Sequence, residues 1–351
     1  MKALSEFSLD EFGRQLDAWG CKASHARPLM RNYYTHAGAI AWSELKVPRR
    51  LQDRLAAECV PMASGVVARQ VAADGTVKLL LRLADGRTVE SVVMPAYRED
   101  RVAGCLSSQV GCALACDFCA TAQSGFARNL SAAEMVEQFL HLRREARAIG
   151  RRLQTVVFMG MGEPLLNLDN VLEACRRIAA GELGALGWRR ITVSTVGIVP
   201  GIDALAAAGP GLNLAVSLHA PDDATRARLI PSGRRFRVGE ILAAADRFQA
   251  QNRGRPVSIQ YCLLRDVNDS PAQARQLAGL LAGRRMHVNL LHYNPTGVSL
   301  TGQNYEASPP AAAEAFMAEL RARRVVAHFR RPRGRDIDAA CGQLRRRAVG
   351  G

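Results

Sequence analysis

The sequence predicts an α/β protein built on a parallel sheet, a partial or full α/β barrel, with helices and a small antiparallel β extension ahead of it. Three observations carry this. From about residue 100, five apolar strand-like runs alternate with helical stretches. Just before that point, two Asp-Gly pairs punctuate alternating apolar runs, the strongest short hairpin signal. The 351 residues are 48% hydrophobic, enough for one large domain or two modest ones.

Residues 1–65 read as an N-terminal helical accessory domain. "LDEFGRQLDAWG" has apolar residues at helical spacing and stops at Gly20, and "PRRLQDRLAAECV" repeats the pattern. Residues 66–97, within "GVVARQVAADGTVKLLLRLADGRTVESVVMP", form the antiparallel extension. The core is expected over 98–336 and a C-terminal tail over 337–351. In the core, "TVVFMG", "RRITVSTVG", "LNLAVSLHA", "VSIQYCLL" and "HVNLLHYNP" are the strands. "AAEMVEQFLHLRREARA" and "SPAQARQLAGLLAGRR" are among the helices between them. Function in such a barrel sits at the carboxyl ends of the strands. Met159 to Pro164, Ser194, Ser217 to His219 and Asn294 fall there.

A charged fraction of 23% excludes a disordered or fibrous chain. No apolar run reaches the roughly 18 residues of a membrane helix, and the start lacks the layout of a signal peptide. A cytoplasmic protein without a membrane segment is the expectation. The net charge of +15 points to a polyanionic partner. Residues 321–351 concentrate it, with ten arginines against only Asp336 and Asp338.

Nine cysteines make an odd number, and three of them are bunched in "GCALACDFCATAQSGFARNL". Cys112, Cys116 and Cys119 follow C-x3-C-x2-C. A structural zinc wants four ligands in closed tetrahedral geometry. Three thiolates on an iron–sulfur cube leave one iron open to a substrate, and that reading suits the loop better. Cys21, Cys59, Cys175 and Cys262 sit among apolar residues and read as core.

The cysteine spacing, with Phe118 inside it, resembles the radical S-adenosylmethionine (SAM) superfamily. Four further ordered blocks, "FMGMGEPLLNLDNV", "ITVSTVGIVP", "AVSLHAPDD" and "RGRDIDAACGQL", resemble the family of radical SAM RNA adenine methyltransferases acting on C2 or C8. The resemblance covers nearly the whole chain. It implies a (β/α)6-type partial barrel, a 4Fe-4S cluster on the three cysteines, and two SAM molecules per turnover. One SAM donates a methyl group to a cysteine; the second, bound at the open iron, is cleaved to a 5′-deoxyadenosyl radical. Adenine C2 is too electron-poor to attack a sulfonium directly, which is why the methyl group goes first onto protein sulfur.

Residue by residue, Cys341 in "DAACGQL" matches the methyl-carrying cysteine and Cys105 the thiol that resolves the adduct through a transient disulfide. Glu90 in "VESVVMP" matches the carboxylate that takes the C2 proton. Gly162, Glu163, Ser194, Ser217, Leu218, His219 and Asn294 match SAM contacts. The implied partners are RNA, either 23S ribosomal RNA or transfer RNA or both, and an electron donor such as flavodoxin; a monomer is expected. "TAQSGFARNL" favours the C2 group over the C8-methylating relatives. A non-catalytic iron–sulfur RNA-binding protein would have no use for Cys105 and Cys341.

Overall fold

Apolar alternation on each strand and amphipathic helices between them resolve into a single ten-stranded sheet in the computed structural model, which describes residues 1–344 apart from Pro210 and Arg253. Across the sheet the order is Ala327–Arg330, Met286–His292, Val257–Leu263, Asn213–Ser217, Ile191–Thr195, Arg152–Phe158, Arg101–Cys105, Thr88–Pro95, Val77–Arg82 and Gly65–Val71. The first seven in that order run parallel, joined by crossover helices. The last three continue the sheet antiparallel.

The five core strands expected from the sequence are all present. Two parallel strands flank them that the apolar pattern does not announce, Arg101–Cys105 and Ala327–Arg330. Both are short and carry charged, small or polar residues.

The β extension is hydrogen-bonded into the barrel sheet through strand Arg101–Cys105. Register follows: Val92 pairs with Cys105 on one side and Lys78 on the other. Side chains alternate along a strand, so Glu90, two residues from Val92, shares a face with Cys105 and Lys78.

The N-terminal helices Leu9–Ala18, Ala26–Thr35 and Arg49–Glu58 pack on the core. The first begins where Ser8 Oγ accepts the Glu11 N–H and Glu11 answers the Ser8 N–H. Buried contacts tie this region down: Ser5 donates to Glu137, and Arg177 donates to the Ser5 and Phe7 carbonyls. Glu137 belongs to helix Ala132–Ala148, whose start is capped by Ser131 and Glu134 in the same reciprocal way. No helix among the described residues is long and apolar enough to cross a membrane.

Candidate active site

The strands' carboxyl ends surround a cavity of about 240 Å³, and Cys112, Cys116 and Cys119 all line it. Their loop runs from strand Gln109–Gly111 to the short helix Ala120–Gln123. The chain then returns as strand Phe126–Asn129, antiparallel to the first, closing a small hairpin around the loop. Gly111 has φ +82°, and a Cβ there would lie 1.8 Å from the Gly125 carbonyl oxygen, so only glycine lets the hairpin close.

Asp117, between the second and third cysteine, anchors the loop. Its carboxylate accepts from Ser299 Oγ (3.0 Å), Thr301 N (2.9 Å), Thr301 Oγ1 (2.6 Å) and Tyr305 OH (2.7 Å). Hydrogen bonds to the ionised form hold its pKa below the usual range despite burial. Burial pushes the Cys112 thiol up to about 12 and Cys116 well above its ordinary value. Thiols so placed ionise readily only when a cation takes up their charge. Three of them on one loop facing one cavity fit three irons of a four-iron cube.

Beside the loop, the "MGMGEP" turn crosses at very close range. A Cβ on Gly162, at φ +98°, would lie 2.5 Å from Gln109 Cβ, and one on Gly160 would lie 2.8 Å from the Leu106 carbonyl oxygen. Glu163 is buried, and its carboxylate accepts from Leu165 N (3.0 Å) and Val196 N (2.9 Å). Burial outweighs those bonds and raises its pKa to about 7. Ser194 and Ser217, on neighbouring strand ends, have hydroxyls 3.4 Å apart.

His219 sits in the left-handed region at φ +59°, a strained position for a residue with a side chain. The Cys262 N–H donates to its Nδ1 (3.0 Å), and its ring meets Phe118 edge-on at 5.0 Å. Burial pushes its pKa down to about 3, so the ring is neutral. Asn294 Oδ1 accepts from Arg335 Nε at 2.8 Å.

The tail passes over this rim. The Ala120 N–H donates to the Gly342 carbonyl (2.7 Å) and Thr121 Oγ1 to the Leu344 carbonyl (2.9 Å), which ties the tail to the cysteine loop. On its other side the tail is held by the β extension: Ala73 N donates to Asp336, and Gly334 N to Asp74. Cys341 is thereby exposed and lines the cavity together with the buried Cys105. Burial, and then the nearby Cys341, push the Cys105 thiol up to about 12.

Two of the expected site residues stand outside the cavity lining. Leu218 packs in the core, and its carbonyl accepts from Arg226 at 2.5 Å. Glu90 is buried on the Cys105 face of the sheet, where Lys78 Nζ lies 3.2 Å from its Oε1. Residues 345–351, including Arg345, Arg346 and Arg347, lie outside the described residues.

Three residues bear on the site that the sequence does not single out. Cys262 reads as core, yet it lines the cavity, where burial, and then the nearby Cys341 and Cys119, raise its pKa. The signal was the alternation Ser258, Gln260, Cys262 on one strand face, polar at every second position. Arg226 is fully buried and donates to the Ser217, Leu218 and Val196 carbonyls, placing a cation beside Cys116 and Glu163. Lys78 shows only once its strand is paired.

A barrel whose strand ends carry a C-x3-C-x2-C loop beside a glycine-glutamate turn defines a radical SAM protein, and the Radical SAM superfamily profile matches residues 106–278. The membership requires a 4Fe-4S cluster and SAM. Relatives narrow the class. A probable dual-specificity RNA methyltransferase RlmN 1 of Opitutus terrae is 67% identical over 98% of this chain and 96% of that protein. The probable RlmN of Gloeobacter violaceus is 43% identical over 98% of this chain and 95% of its own length. The crystal structure of a radical SAM methyltransferase from Sphaerobacter thermophilus superposes with a TM-score of 0.92 at 40% identity, covering 99% of this chain and 100% of that one. This chain belongs to the RlmN family.

Proposed function

We propose that this chain is an RNA methyltransferase acting on C2 of adenosine in 23S ribosomal RNA, transfer RNA or both, through an S-methylcysteine at Cys341. The observation that carries the reading is the convergence of Cys341, Cys105 and the three-cysteine loop on one cavity. When bound, the cluster and two SAM molecules supply the methyl group and the 5′-deoxyadenosyl radical that activates it. An external one-electron donor of the flavodoxin kind feeds the cluster, and the protein acts as a cytoplasmic monomer.

The chain's own residues do the rest. Cys112, Cys116 and Cys119 hold iron. Gly162, Glu163, Ser194, Ser217, His219 and Asn294 line the SAM side of the cavity, with the Leu218 backbone fixed beneath by Arg226. Cys341, exposed at the rim, is placed to receive a methyl group and then to join its carbon to the base. Glu90 takes the C2 proton, and Lys78, 3.2 Å away, holds the carboxylate in place. The adduct gives up its unpaired electron to a one-electron carrier, and Cys105 then attacks the sulfur of Cys341: a sulfur–sulfur bond forms, the sulfur–carbon bond breaks toward the base, and that carbon takes a proton to become the methyl group.

The two cysteines must fail at different steps. Cys341→Ala has nowhere to load a methyl group and should give neither methylated RNA nor a covalent complex. Cys105→Ala should load and couple, then stall as protein crosslinked to RNA, seen as a nuclease-sensitive shift on a denaturing gel. Normal turnover by Cys105→Ala, or a trap in Cys341→Ala instead, overturns the assignment.

A further inference from the structure

The opposite end of the barrel is ringed with arginine. Arg189-Arg190, Arg284-Arg285 and Arg323-Arg324 each precede a parallel strand, Arg151-Arg152 lead into another, and Arg255 stands before a fifth. Since those strands run parallel, their starts share one edge of the sheet, the edge away from the reaction cavity. A seven-residue strand such as Arg152–Phe158 separates the two ends by roughly 20 Å.

Part of this ring converges on a hollow of about 540 Å³ between the N-terminal helix Ala26–Thr35 and the core. Arg31, Arg143, Arg147, Arg151, Arg152 and Arg190 line it, and no acidic residue does. None of the six makes an ion pair among the described residues, whereas Arg27 and Arg177 nearby are paired with Glu182 and Glu173. Arg143 is spent on the Tyr34 and Gly184 carbonyls and fixes the wall. A second hollow at the same edge takes in Arg285 and Arg324, with Arg284 paired to Asp246 and Arg323 to Glu319.

Cations at helix C-termini gain from the helix dipole, and that accounts for single arginines where helices end at this edge. It does not account for five further arginines lining one hollow without a counter-charge, an arrangement that repels itself unless an anion is present. The side chains are arginines throughout, with no lysine, and the guanidinium fork matches phosphate oxygens two at a time. From Arg152 to Arg324 the row crosses five strand spacings, about 24 Å. That is long enough for several backbone phosphates.

We infer that this rim is a second RNA-binding surface: it grips the phosphate backbone of the substrate RNA at a distance from the adenosine being methylated. The inference rests on the RNA methyltransferase reading above and adds a requirement to it, that the RNA be long enough to reach both ends of the barrel. The N-terminal helices then have a defined part, since Arg31 completes the hollow.

The test compares two RNAs on the full chain: a complete transfer RNA transcript, and a hairpin the length of one of its arms carrying an unpaired adenosine. In Arg151→Gln/Arg152→Gln/Arg190→Gln, affinity for the transcript should fall at least tenfold, and the slope of log affinity against log salt should drop by about 2 to 3. Hairpin affinity and the rate of 5′-deoxyadenosine formation should stay at wild-type values. Should the triple variant fold poorly, Arg285→Glu/Arg324→Glu, on other elements of the same rim, should show the same selective loss. Equal losses on both RNAs would place these arginines at the reaction end, and no loss would make the rim a solvated surface; either overturns the inference. A wild-type protein that binds neither RNA would instead sink the methyltransferase reading itself.

Discussion

Lys78 Nζ stands 3.2 Å from Glu90 Oε1, and the same ammonium group donates to the Asp338 carbonyl at 3.3 Å. One buried lysine thus joins three things: the β extension, the carboxylate proposed as base, and the tail that carries Cys341. The extension therefore clamps the segment that leads to Cys341: in its first turn Ala73 N donates to Asp336, and Asp74 accepts from Gly334 N.

Removing that cation should loosen both contacts. In Lys78→Met the Glu90 carboxylate loses the ammonium beside it and the Asp338 carbonyl loses its donor, so the proposed base and the tail both lose a fixed position. The kcat should fall about tenfold, and Lys78→Arg, which keeps a cation there, should restore part of it. A lysine needed only for folding would lower the melting temperature and leave the kcat of the folded protein unchanged.

The cysteine loop should depend on Asp117. Tyr305→Phe deletes one hydrogen bond to an ionised acceptor, worth about 1.5–3 kcal/mol, and should lower iron content after reconstitution. Asp117→Ala removes all four and should lower it further. Cys116→Ala, which takes away a ligand, should lose cluster absorbance and SAM cleavage together. Iron retained in full by Cys116→Ala would sink the three-cysteine assignment.

Stability should carry a pH signature from His141 on helix Ala132–Ala148, outside the cavity lining. Burial, then Arg144, pushes its pKa down to about 4 from 6.5. The unfolded chain binds a proton below 6.5 that the folded chain refuses until about 4, so this contribution is lost as pH falls through that window. The loss amounts to about 3 kcal/mol at its limit. His141→Asn should melt with a shallower pH dependence between 4 and 6.5 than the parent; identical slopes would show that the ring titrates normally.

Much of the site was legible in the chain. C-x3-C-x2-C is local chemistry: three thiols within eight residues share a loop whatever the rest of the fold does. The five apolar strands were legible too, because a strand buried on both faces announces itself by composition. Strands Arg101–Cys105 and Ala327–Arg330 were not, because RVAGC and AHFR are short and broken by arginine and small residues, so neither carries such a run.

What the sequence determined by itself was therefore the class of chemistry and the order of the elements that hold it. Tertiary structure decided who meets whom. Cys262 faces the cavity because period-two alternation put it, and not Tyr261, on the inner face. Lys78 meets Glu90 because hairpin register set their strands side by side. The arginine pairs, scattered over some 170 residues of chain from Arg151 to Arg324, form one rim only because every parallel strand begins at the same edge. Side-chain type is written residue by residue, but proximity across a sheet depends on pairing register and crossover handedness, which exist only once the chain has folded.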